Sequence, residues 1–183
     1  MPAIPSTPES DRPRRRSRYW IGAAALAGAT VIGVTGVIVV GATRSDDGRS
    51  RQQAVAEQGA SVMPFDLEAT THVFKPTKAG GVQTVVADDP TDNEQVALVR
   101  SHLRQEVERF GVGDFGDPAT VHGEDMPGLA VLEANFDALE TTYRDRPDGG
   151  EITYRSNNPV VVAALHDWFE AQLSDHGSDA HSG

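Results

Sequence analysis

The sequence predicts an α+β domain, a two-layer ββα(α)ββα arrangement with a four-stranded antiparallel sheet, preceded by one transmembrane helix. Three observations carry this expectation. Residues 21–42 form an apolar run without one charged side chain, directly behind Arg12, Arg14, Arg15, Arg16 and Arg18. Further along, two stretches alternate apolar and polar residues and each doubles back at a glycine-rich turn. Each of these is followed by a helix-capping residue and an apolar stripe at helical spacing.

Taken in order, residues 1–20 are rich in proline and arginine and read as a cytoplasmic basic tail against an anionic membrane surface. Residues 21–42 would span roughly 33 Å as a helix, enough for a hydrocarbon core of roughly 30 Å. The flanking arginines then place the N-terminus in the cytoplasm and the C-terminal domain outside it, with Tyr19 and Trp20 at the interface. The alternative is a secreted protein whose signal is cleaved near Val40, Gly41 and Ala42, against which stands the length of both the run and its leader. Ala25, Ala29 and Gly33 form a small-residue stripe compatible with a homodimer in lipid. Residues 43–60 read as a polar linker, briefly helical until Gly59 stops it. Residues 61–177 follow as the folded domain and 178–183 as a disordered tail.

Within the domain, His72 and Phe74 share one face of a strand that turns at Lys78-Ala79-Gly80-Gly81, and Val82, Thr84 and Val86 return. Asp92 is the expected cap of a helix whose stripe is Val96, Val99, Leu103, Val107 and Phe110. The plan repeats with Leu139, Thr141 and Tyr143, a Pro147-Asp148-Gly149-Gly150 turn, and Ile152 with Tyr154. Asn158 as cap and Pro159 at the first helical position then open a second helix through Val161, Leu165, Trp168 and Phe169. Between the units runs a glycine-rich stretch expected to loop before a short helix capped by Asp125.

From residue 61 onward there are 8 basic against 22 acidic side chains, a formal charge of −14. Such a surface repels nucleic acid and favours cations and basic partners. The chain has no cysteine, which excludes disulfides, thiolate metal sites and a cysteine nucleophile. No nucleophile elbow, phosphate loop, dinucleotide fingerprint or EF-hand spacing occurs.

The segments SVMPFDLEATTHVF (61–74), GGVQTVV (80–86), QVALVRSHLRQE (95–106), GDFGDPATVHGEDMPGLAVL (113–132) and ALHDWFEAQLSDHG (164–177) resemble a family of small secreted or membrane-anchored bacterial proteins. Members often carry the label aspartate carbamoyltransferase. The resemblance spans the outward domain and implies no established activity. Carbamoyltransferases are similar to one another in an STRT-like phosphate loop and an HPTQ-like segment on two α/β domains. This chain has neither segment and lacks the length, so an enzyme of that type is disfavoured.

What chemistry remains is that of histidine. His102 with Glu106 and His166 with Glu170 each place an imidazole and a carboxylate one helical turn apart, a pair that either clasps a metal or merely stabilises its helix. His122 stands in HGEDMPG beside Asp125 and Met126, an imidazole, carboxylate and thioether set suited to zinc or copper. Structurally, Asp125 would instead cap a helix and Met126 fill the core. The candidate ligand set is therefore His72, His122, His166, His176, Asp125 and Met126, with no catalytic residue assigned. Three functions follow from it: a tethered, non-enzymatic binder of metal or small cations, a protein-interaction module of the cell envelope, and, more weakly, an enzyme.

Overall fold

The computed structural model describes residues 37–183, with side chains from Gly48 onward. Most of the expected membrane span, residues 21–36, lies outside the described residues, as does the basic tail. Among the described residues no helix is long and apolar enough to cross a membrane.

Helix α1 runs Val37–Val62 and leads through a short 3-10 turn at Leu67–Ala69 into the first hairpin, β1 (Thr70–Thr77) and β2 (Gly80–Ala87). Helix α2 (Asn93–Phe110) follows, then α3 (Gly116–His122) and α4 (Leu129–Ala134). The second hairpin is β3 (Glu140–Arg146) and β4 (Gly149–Arg155), after which come α5 (Pro159–His176) and a short strand β5 (Ala180–Ser182). The sheet order is β3-β4-β2-β1-β5.

The caps set where the long helices begin. The Asp92 carboxylate accepts the N–H groups of Glu94 and Gln95, both at 3.1 Å. Asn158 accepts the Val160 N–H at 3.0 Å, and Pro159, which has no N–H to satisfy, occupies the first turn. Both helices cover the same sheet face. Phe169 of α5 lies 5.2 Å from Phe74 and 5.7 Å from Tyr154, ring centre to ring centre, while Leu103 of α2 presses on the backbone at Gly150. Phe74, Val85, Val99, Leu103, Ile152, Leu165 and Trp168 are all at most 1% exposed and make the centre of the core.

The sheet differs from expectation in one strand and in its mixed sense. β5 pairs parallel with β1, Ala180 opposite His72 and Ser182 opposite Phe74, so the tail expected to be disordered is a fifth strand. The reason lies in α5, which returns the chain beside the open edge of β1, where Ala180 buries itself to 6% exposure. The expected linker at 43–60 is likewise ordered, as part of α1. Its contacts with the body run through Arg51, Val55 and Gly59, four residues apart and hence on one helical face. Gly59 does not end the helix. It is a point of close approach, where a β-carbon would sit 2.7 Å from the Leu67 side chain and 2.8 Å from Met63. Nor does Asp125 cap a helix, because α4 starts four residues later behind Gly128. Gly128 has φ +79, and a β-carbon there would meet the Ala164 carbonyl at 2.0 Å, so only glycine lets α4 lie against α5.

Candidate metal centre

α2 buries more than its apolar stripe. His102 and Glu106 flank Leu103 on the inner side of the helix and are 9% and 6% exposed. α3 supplies Asp117 from its first turn and His122 from its last. β1 brings His72 on the same face as Phe74, and α5 ends in His176. These six side chains line one cavity of about 50 Å³. That volume suits small ions and a few waters, against the roughly 300–1,000 Å³ typical of organic ligand pockets.

Among the described residues, one group of three potential ligands converges: the ligand atoms of His102, Glu106 and Asp117 all lie within 4.8 Å of one another. Burial pushes the Glu106 carboxyl up to about 8, helped by the charge of Asp117 and by a hydrogen bond with it. At neutral pH Glu106 therefore carries a proton. Its Oε1 has no hydrogen-bond partner, although Glu106 is buried. Arg109 offsets part of the negative charge, its Nη1 standing 2.5 Å from Asp117 Oδ2 and its Nε 2.9 Å from Asp114 Oδ2. Burial also lowers His102 below its ordinary value, against an opposing pull from Asp117. A neutral imidazole with a free lone pair is the form that ligates metal.

Three further imidazoles line the same cavity. The His176 ring centre lies 5.1 Å from that of His72 and 5.0 Å from that of His122. His122 Nδ1 donates to Asp175 Oδ2 at 2.9 Å. Asp175 also receives Arg51 of α1, whose Nη2 lies 2.7 Å from the same oxygen and 3.2 Å from the His122 carbonyl. Burial would raise Asp175, but its hydrogen bonds with Arg51 and His122 hold it below the ordinary carboxylate value. Desolvation lowers His72 to about 3 and His176 to about 4, so both are neutral at pH 7. His72 Nδ1 and Trp168 Nε1, two more buried atoms of residues lining this cavity, have no partner.

Of the six ligands expected from sequence, the fold thus gathers His72, His122 and His176. His166 is elsewhere, its Nε2 donating to the Gly80 carbonyl at 2.8 Å and pinning the end of the first hairpin to α5. Asp125 is exposed, and Met126 packs in the core at 5% exposure. Conversely, none of the converging residues His102, Glu106 and Asp117 belongs to the expected ligand set. The one-turn spacing of His102 and Glu106 is the available signal, whereas Asp117 joins them only because the chain after α2 turns so that the first turn of α3 meets Arg109 and Glu106. No family model, curated protein or solved structure matches this chain.

Proposed function

We propose that the domain binds a divalent first-row transition cation, without catalysing a reaction, through His102, Glu106 and Asp117. The observation that carries this reading is the convergence of those three ligand atoms inside a small buried cavity. One imidazole and two carboxylates suit zinc, manganese or ferrous iron, and three protein ligands leave positions for water. The acidic surface raises the local concentration of cations around the site. A protein-interaction role has less support, since among the described residues the exposed large apolar side chains are Val112 and Val160, on separate elements. The charge-free run at 21–42 supports a tethered, extracytoplasmic placement, which reporter fusions at the C-terminus test; activity confined to the cytosol would overturn it.

The test of the binding reading is calorimetry on the full chain, untagged, in detergent and stripped of metal. Zinc is expected to bind at pH 7 with release of close to one proton per ion at this site, because Glu106 must surrender its proton to become a ligand. Proton release is read by repeating the titration in buffers of different ionisation enthalpy. Glu106→Gln and His102→Ala should each remove one equivalent, while His166→Ala leaves the titration unchanged. Binding without proton release, or unaltered in Glu106→Gln, would refute the assignment.

A further inference from the structure

We propose that His72, His122 and His176 form a second cation site, an all-imidazole one facing the carboxylate centre and selective for ions that prefer nitrogen, such as Cu²⁺ or Zn²⁺. The proposal shares the cavity with the carboxylate centre but stands without it.

Geometry supports it first. With metal–nitrogen bonds of about 2.0–2.1 Å, two imidazoles on one tetrahedral ion have ring centres roughly 5 Å apart. His176 keeps that separation from both His72 and His122; its ring stacks on that of His72 at 9° and meets that of His122 edge-on at 73°, so ligation turns the stacked pair to bring their lone pairs onto one ion. The rings come from β1, the end of α3 and the end of α5, three elements locked by the core rather than one flexible loop. The three rings border the same space.

The surroundings of the rings point the same way. A metal-ligating histidine usually donates its second ring N–H to a carboxylate, which fixes its tautomer and strengthens it as a ligand. His122 does this through Nδ1 to Asp175; its other hydrogen-bond partner is the Gln172 side chain, which an ion would have to displace. Asp175 is itself held by Arg51, so the support extends to α1. His72 Nδ1 is a fully buried nitrogen with no partner, and an ion would give it one. Structural buried histidines, by contrast, are normally hydrogen-bonded on the ring nitrogens, as His166 is. The ligand chemistry separates the two sites: nitrogen donors alone here, and mostly oxygen in the other, so a copper ion prefers this one.

The experiment uses the full untagged chain in detergent, loaded with Cu²⁺ and desalted, with metal content and electron paramagnetic resonance measured on the same samples. The parent is expected to hold two equivalents at saturation. Glu106→Gln, which removes the carboxylate centre, should keep one equivalent whose spectrum shows splitting from at least two nitrogens. His176→Gln should lose that equivalent and its nitrogen pattern while retaining the other. Because His176→Gln is a core change, His122→Gln and the parent's own spectrum serve as independent readings. A copper spectrum with a single nitrogen in the Glu106→Gln protein, or two equivalents retained in folded His176→Gln and His122→Gln, would overturn the proposal. Loss of the carboxylate equivalent alone bears on the proposed function and leaves this site standing.

Discussion

Replacing Glu106 with glutamine should make the metal-free protein more stable, by an amount that grows with pH. In the unfolded chain a glutamate at pH 7 is ionised, with an ordinary value of 4.5, whereas in the fold Glu106 keeps its proton up to about 8. Folding therefore forces proton uptake. At 1.36 kcal/mol per pH unit, that uptake costs about 3 kcal/mol at pH 7, about 1 kcal/mol at pH 5 and about 5 kcal/mol at pH 9. The sign follows because a raised folded value means stability is lost as pH rises from 4.5 through 8. Glutamine has nearly the same shape and never ionises, so the variant escapes the cost at every pH. Urea denaturation of parent and variant, with chelator present, should give stability differences near those three figures. A difference that stays flat from pH 5 to pH 9, or favours the parent, would refute the buried, proton-bearing carboxyl. Glu106→Gln should also lose the share of zinc stabilisation that comes through the carboxylate centre, which the parent gains in proportion to the logarithm of free zinc.

Acid should act through the histidines. His72 and His176 have folded values near 3 and 4, below the ordinary 6.5, so their contribution is present above about 6.5 and is lost as pH falls toward those values. In the Glu106→Gln background, where no carboxyl compensates, denaturation at pH 5 should show about 4 kcal/mol less stability than at pH 7, and a flat profile would contradict their burial as neutral rings. Arg51→Ala should lower stability by about 1–3 kcal/mol in the same assay, since it removes the cation from the carboxylate of Asp175, 3% exposed, and leaves it with the neutral imidazole of His122. The half-exposed guanidinium keeps that figure below the full value for a buried pair. Gly128→Ala should lower the thermal midpoint by several degrees, through a strained φ and a clash with the Ala164 carbonyl, and an unchanged midpoint would contradict the α4–α5 contact.

The two hairpins and two long helices were legible because each has a local signature. Thr70 to Ala87 alternates around a glycine turn, and Asp92 and Asn158 announce helices whose apolar residues recur at 3.6. The remaining elements carry no such signature. α1 holds to the body by Arg51, Val55 and Gly59, a stripe with one sizeable apolar residue, so its polar composition resembles a linker. β5 has three residues, too few for alternation to register, and its pairing with β1 depends on where α5 ends. The candidate site follows the same division. His102 and Glu106 sit in one helix and their spacing is visible, but Asp117 reaches the cavity, and Asp175 and Arg51 reach His122, only through tertiary packing, while HGEDMPG points to Asp125, which the fold turns to solvent.

The two margins of the sheet are guarded in different ways. β3 lines its free rim with the charged side chains Arg144, Asp145 and Arg146, which another strand would have to desolvate on docking. β1 is shielded by β5 itself, extended by the Gly183 N–H bonding to the Phe74 carbonyl at 3.0 Å. Clipping residues 180–183 would uncover the main-chain amides and carbonyls of His72 to Phe74 along a partly apolar strand edge, and make the fold prone to self-association through that seam.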